Sequence, residues 1–289
     1  VAAVFPQPAL GYLSYPAVFV GNTVADLKWS VGSCHEYWVM RDGEVIGTVP
    51  WGEDPWFRDE GLTSGETYSY LVSYRAADGS ELRNAGPAEV TTGGVEGRLY
   101  RSLSLASGTH ILTGAVYVHA GAALNVAPGT TVRKAEGIYS AGIESAGNAE
   151  GQYEHPGGPI RLTGVVVEDI SVTFSSAEEN VCSGNIFNRA AVNVLSPGAL
   201  TIDQHNTFQD SSIVLTAAQT VIVGNDFLGF SFLRIVGDSG ETTVEGNCFL
   251  TGARQGYEAA ISVREGYAAI TRNLWRVGTT PGPLERGSS

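Results

Sequence analysis

The feature that most constrains this chain is an asparagine that returns five times at a nearly constant interval, each time two residues ahead of an aromatic ring. SGNIF, QHNTF, VGNDF, EGNCF and TRNLW place Asn185, Asn206, Asn225, Asn247 and Asn273 before Phe187, Phe208, Phe227, Phe249 and Trp275. The intervals between asparagines are 21, 19, 22 and 26 residues. A period of that size marks a stacked-repeat architecture, in which each repeat buries its apolar side against its neighbours. VIVGNDFLGF (221–230) sets one of these amides inside a run that otherwise reads as a buried strand. A bare amide there would cost about 1–3 kcal/mol. The cost is offset if the same turn recurs in coils stacked about 4.8 Å apart, so that each Asn donates its amide to the carbonyl of the next. Gly before Asn permits the tight bend. The aromatic two residues on then faces the interior, and the five rings form a column.

Upstream of the repeat, SLASGTHILTGAVYVHAGAALNVAPGTTV (104–132) consists of short strands punctuated by Gly, Ala-Gly and Pro-Gly. PGALTI (197–202) echoes AGAALNV (120–126). With the Asn column, this pattern resembles the right-handed parallel β-helix, the pectate-lyase-like fold of bacterial surface proteins and polysaccharide-active enzymes. The resemblance implies a coil over residues 99–280, with a tail at 281–289. Two stretches exceed one coil and are expected to protrude, TGARQGYE (251–258) and the Gly-rich SAGIESAGNAEGQYEHPGGP (140–159). Loops on a rigid scaffold are where function usually sits.

The first third reads differently. TVADLKWS (23–30) alternates and offers Trp29 to a core, and EYWVMRDGEVIGTV (36–49) is a hairpin around Asp42-Gly43, a pair suited to a tight turn. FRDEGLTSGETYSYLVSYRAADGSE (57–81) supplies two more strands with Asp78-Gly79 as the next turn, and PAEVTTG (87–93) a last one. Trp29, the Tyr37–Arg41 strand and GLTSGETYSYLVSY resemble a fibronectin type III, immunoglobulin-like β-sandwich. In that resemblance Tyr68 pins the corner between strands. The expected organisation is an apolar arm at 1–8, the sandwich at 9–93, a Gly-rich linker at 94–98, then the coil. The fold class is all-β.

Charge and cysteine content narrow the partners. The net charge of −13 opposes binding to nucleic acid and to acidic polymers, except at a basic patch or through a bridging cation. No apolar run reaches membrane-spanning length. The chain opens on Val1 rather than Met, as a processed secreted product would. Cys34, Cys182 and Cys248 form an odd set. If the repeat marks coils, Cys182 and Cys248 lie about 14 Å apart, beyond disulfide reach, and read as small buried side chains.

Catalytic signatures are sparse. A polygalacturonase-like site would need paired aspartates, and no two are adjacent; NTF (206–208) and RIV (234–236) stand where its motifs would be sought. Asp203, Asp210, Asp226 and Asp238 sit at different offsets from the repeat, so they form no calcium-holding column of the pectate-lyase kind. His35, His110, His119, His155 and His205 show no metal-ligand spacing, and His205 reads as a turn residue. The sequence therefore calls for no catalytic residue, metal or cofactor.

The first functional expectation is an extracellular, bacterial-surface structural protein that assembles as a homo-oligomer or filament. Val1, Val4, Phe5 and Leu10 would add the arm as a strand to a neighbouring protomer. The second is a carbohydrate-binding or carbohydrate-cleaving surface protein. Trp38, Trp51 and Trp56, around YWVM and VPWGEDPW, are then the candidate contacts for glycan or for another subunit. Tyr37 and Trp38 point to opposite faces of one strand, so one of them is exposed.

Overall fold

The computed structural model describes residues 19–29, 34–76, 82–145, 157–195, 200–203, 205–216, 220–252 and 261–278. The arm with Val1, Val4, Phe5 and Leu10, the turn at Asp78-Gly79 and the tail at 281–289 lie outside them. So do His155, most of the 140–159 insertion and residues 253–258. Among the described residues every regular element is a strand. The chain divides into two compact units. One runs to Leu99 and takes in Ile111–Val116; the other comprises Tyr100–His110 and the chain from Tyr117 onward.

The first unit is a pair of antiparallel sheets. Glu44–Pro50, Cys34–Arg41, Thr67–Ala76 and Leu82–Thr91 are neighbours in one. Trp56–Glu60, Val24–Lys28, Phe19–Val20 and Val95–Leu99 follow one another in the other. Strand alternation sends Tyr37 and Val39 inward to meet Leu27 and Trp29 of the opposite sheet in one apolar core. Asp42 and Gly43 take φ of 52° and 87°, as the tight hairpin turn requires. Tyr68 accepts a hydrogen bond at its hydroxyl from the Thr63 N–H at 2.9 Å, which ties the corner expected of it.

Two carboxylates complete this unit. Asp26 is buried and receives two bonds from Arg58, at 2.7 and 2.8 Å. Asp59, on one sheet, is held by Arg41 and the Tyr70 hydroxyl of the other at 2.8 and 2.7 Å. Of residues 94–98, expected to be a linker, all but Gly94 lie in the strand Val95–Leu99, with Phe19 opposite Gly97. The glycines mask an apolar register: Val95 and Leu99 are both buried. Pairing along this edge outweighs the flexibility that the glycines suggest.

The second unit is a parallel β-helix. Its first face stacks Leu103–Leu105, Leu124–Val126, Ile160–Thr163, Val181–Ser183, Leu200–Asp203 and Thr220–Val223 in parallel register. The second face stacks Thr130–Lys134, Val166–Glu168, Ile186–Asn188, Thr207–Gln209, Asp226–Gly229, Cys248–Gly252 and Leu274–Gly278. The third stacks Gly142–Ser145, Ser171–Phe174, Ala191–Val194, Ser212–Leu215 and the start of Phe232–Glu245.

The corner between first and second faces explains the repeated Asn. Gly184, His205, Gly224, Gly246 and Arg272 occupy left-handed backbone at φ of 64°, 63°, 65°, 64° and 55°, each immediately before a repeat Asn. The Asn206 amide donates to Asn225 Oδ1 at 2.9 Å, Asn225 to Asn247 at 3.0 Å and Asn247 to Asn273 at 3.0 Å. The side-chain ladder is only half of the arrangement. The backbone N–H of Asn185, Asn206, Asn225 and Asn247 also donates to the next Asn side chain, at 2.8 to 3.2 Å. At the lower end Asn185 Nδ2 bonds the Leu162 carbonyl while its oxygen accepts from Val165 N–H. Val165 thus holds the Asn position in the preceding coil.

The rings stack as the spacing requires. Phe187, Phe208, Phe227, Phe249 and Trp275 follow at centroid distances of 4.9, 4.9, 4.5 and 4.5 Å, all within 15° of parallel. The four phenylalanines are fully buried. Trp275, expected in the interior with them, is half exposed, and among the described residues no further ring stacks beyond it. A second ladder escaped the sequence reading. At the corner between second and third faces, Ser211 Oγ accepts from Ala190 N–H and Ser231 Oγ from Ser211 N–H, both at 3.0 Å.

Candidate functional site

The corner that carries the serine ladder also carries a groove. Its turn needs one left-handed residue per coil, and these are Asp169, Arg189, Asp210 and Gly229, at φ of 56°, 50°, 49° and 65°. Asp and Gly tolerate that conformation well; Arg does so less readily. Because the coils stack in register, the side chains form one column on the surface. Arg189 donates from Nε and an Nη to both oxygens of Asp169, each at 2.7 Å. Its remaining Nη bonds Asn188 Oδ1 at 3.2 Å. Asp210 accepts from Gln209 Nε2 and from the Phe230 N–H, both at 2.9 Å.

Next to this column the third face turns its smallest residues outward. Gly142, Ser171, Ala191 and Ser212 lie opposite one another in successive coils, and Phe232 continues the row. Their alternate neighbours Ile143, Val172, Val192, Ile213 and Leu233 point into the core. A trough of about 390 Å³ results, lined by Asp169, Arg189 and Asp210 of the column, Ser171, Ala191 and Ser212 of this row and the exposed rings of Tyr139, Phe230 and Phe232. Phe230 stands out because the coil gains one residue there: Leu228 is in register with Gln209 and Phe232 with Ser212, a step of four residues against three. At about 4.8 Å per coil the row from Gly142 to Phe232 extends about 19 Å.

The charges in the trough are fixed. The hydrogen bonds from Arg189 hold the Asp169 carboxyl below its ordinary range. Gln209 and then the Phe230 backbone N–H do the same for Asp210. One outward position beyond the small row, Glu144 is pushed the other way, by burial. Thr173 and Asn193 follow it in register on that face.

The residues singled out from the sequence lie elsewhere. Trp38 is on the outward side of the strand Cys34–Arg41, and its Nε1 bonds Glu36 at 2.9 Å. Trp56 belongs to the opposite sheet, pairs with Lys28 and has the Arg58 guanidinium 5.3 Å from its ring centre. Trp51, in the turn between, is exposed. Cys182 is buried and free, with the Asn185 amide 3.7 Å from its sulfur, and burial pushes its thiol up to about 12. Cys248 is also free. His205 serves its left-handed turn, and His110 bonds the Ala106 carbonyl at 2.9 Å. Among the described residues no three His, Cys, Asp or Glu side chains gather as a metal site.

Offsets of aspartates alone do not reveal the charged column, because Arg189 and Gly229 share the offset of Asp210 and Val165 replaces the Asn ahead of Asp169. Asp169, Arg189, Asp210 and Gly229 all stand four residues after a ladder position, counting from Val165, Asn185, Asn206 and Asn225. A search for turn-compatible residues at that offset finds the corner.

No known protein family matches the sequence, and no curated protein matches it significantly. Among solved structures, a family 28 exopolygalacturonase of Yersinia enterocolitica is 10% identical, over 96% of this chain and 88% of that one, with a TM-score of 0.28. A pectate lyase of Pectobacterium carotovorum is 12% identical, over 88% and 89%, with a TM-score of 0.25. A pectate lyase of Erwinia chrysanthemi in complex with tetragalacturonic acid is 13% identical, over 91% of both, also at 0.25. Likeness at that level assigns no activity, and the β-helix is established by the strand pairing itself.

Proposed function

We propose that this is an extracellular carbohydrate-binding protein whose β-helix presents the Tyr139–Phe232 trough to a neutral polysaccharide. The first unit, a fibronectin type III-like module in this reading, acts as a spacer. The observation that carries the proposal is the trough. Aromatic faces offer the C–H edges of sugar rings an apolar, electron-rich surface. Between them, a row of small side chains leaves room, and the Asp169–Arg189–Asp210 column supplies fixed donors and acceptors for hydroxyl groups.

Two arguments refine it. Glycoside hydrolysis uses a carboxyl kept protonated near neutral pH to serve the leaving group. Asp169 and Asp210 are instead held low by their hydrogen bonds, so neither is that acid. Arg189 is already paired with Asp169 and the chain carries −13, so a uronic-acid polymer meets net repulsion.

The test is electrophoresis of the native protein through gels containing soluble neutral glucans, xylans or galactans, beside gels containing polygalacturonate. Retardation by a neutral polymer, weakened in Phe230→Ala, is expected. No retardation in any neutral gel overturns the reading. Release of new reducing ends would replace binding by cleavage.

A further inference from the structure

The last coil described leaves the core columns of all three faces open. Val263 is 41% exposed, Ile270 42% and Trp275 50%. One coil earlier the same columns hold Ile235 at 4%, Val244 at 0% and Phe249 at 0%. The strands Ile261–Thr271 and Leu274–Gly278 are each paired on one edge only, among the described residues. The Asn ladder reaches the same coil: Asn247 bonds Asn273, and among the described residues no Asn side chain takes the Asn273 N–H. A parallel edge over an open apolar cross-section is a template for another strand.

Two segments outside the described residues can be compared as occupants. Residues 279–289, TTPGPLERGSS, contain one large apolar side chain, two prolines and two charges. They lack the apolar groups to fill three columns. Residues 1–18, VAAVFPQPALGYLSYPAV, carry no charge and provide Val1, Val4, Phe5, Leu10, Tyr12 and Leu13. Their length, up to about 60 Å when extended, is ample to lie along a terminal coil.

We infer that the open C-terminal coil takes the N-terminal segment of a second copy of this chain. Val263, Ile270 and Trp275 receive its apolar side chains, and the free edges pair with its backbone. The contact joins unlike surfaces, so it propagates head to tail into filaments unless the geometry closes a ring.

Sedimentation velocity over a concentration series tests this on the full chain, on a variant lacking residues 1–13 and on Ile270→Asp. The full chain is expected to form species that grow with concentration, while both variants remain monomeric with unchanged β-sheet circular dichroism. Addition of a synthetic 1–13 peptide should dissolve the assemblies and shift the emission of Trp275, a shift absent in Trp275→Phe. Monomeric full chain at every concentration overturns the inference, and so does assembly that survives both removal of the segment and the peptide. Peptide binding to the truncated variant with a full chain that stays monomeric also overturns it, because the segment then folds back within its own chain.

Discussion

The two units meet the same difficulty, polar groups inside a β core, by opposite means. In the first unit each buried charge has an individual solution. Asp26 has Arg58, and Asp59 has Arg41 with Tyr70. Nothing in either arrangement repeats. In the coil one solution repeats from Asn185 onward: each corner Asn bonds the backbone of the preceding coil, and Asn206, Asn225 and Asn247 also donate to the Asn side chain of the next. The ladder shares its hydrogen bonds among neighbours, so each member is fully satisfied only inside the stack. A unique pair protects one place, whereas a ladder protects a length.

The comparison breaks most sharply where one buried group is removed from each unit. Phe227→Ala, in the middle of the ring column, should cost about 3–5 kcal/mol. Trp275→Ala, at the half-exposed end, should cost about 1–2 kcal/mol by the area it buries. Urea unfolding of both variants measures the gradient, and equal losses would show that the column does not act as a stack. Asp26→Ala removes the buried carboxylate that takes two bonds from Arg58 and should cost about 3–5 kcal/mol. That loss should appear as early exchange of amides in residues 19–29 and 56–60, with those of the coil unaffected.

Asn225→Ala strips Asn206 of its partner and leaves the Ile202 carbonyl without its donor. The expected loss is about 2–4 kcal/mol. Unlike the Asp26 variant, it should loosen amides in the coils on both sides, which hydrogen exchange reads directly.

The smallest effects belong to the surface. Arg189→Ala removes an exposed pair and should change stability by less than about 0.5 kcal/mol. It should nonetheless weaken retardation by the neutral polymer several-fold, because Asp169 is then unanchored. Since Asp169 and Asp210 have depressed folded pKa values, their charged arrangement is fully present above the ordinary carboxylate value of 3.8. It is lost only as pH falls through the lowered folded values. Binding measured from pH 8 down to pH 5 should therefore be flat and should fail only in stronger acid.

The parts of this molecule legible in its sequence are those where burial forces the residue type. Asn185 to Asn273 and their rings stand out because any other side chain at that corner would strand a buried amide or open the core. Tyr68 and the Asp42-Gly43 turn are readable for the same kind of reason. The trough is not, because its column demands only a tolerated φ and an exposed side chain, which Asp, Arg and Gly satisfy in turn. Val165 in the first Asn position hides the coil that contributes Asp169, and the extra Phe230 shifts the count after Gly229. Residues 94–98 misled for a related reason: their glycines speak of flexibility, while Val95 and Leu99 commit the segment to a strand.

The most direct test of the account is hydrogen exchange of the whole protein with and without a saturating neutral oligosaccharide. Protection confined to residues 139–142, 169–171, 189–191, 210–212 and 230–232 is the predicted result. Protection around Trp38 and Trp51, or none at a concentration where the polymer retards the protein, would contradict it.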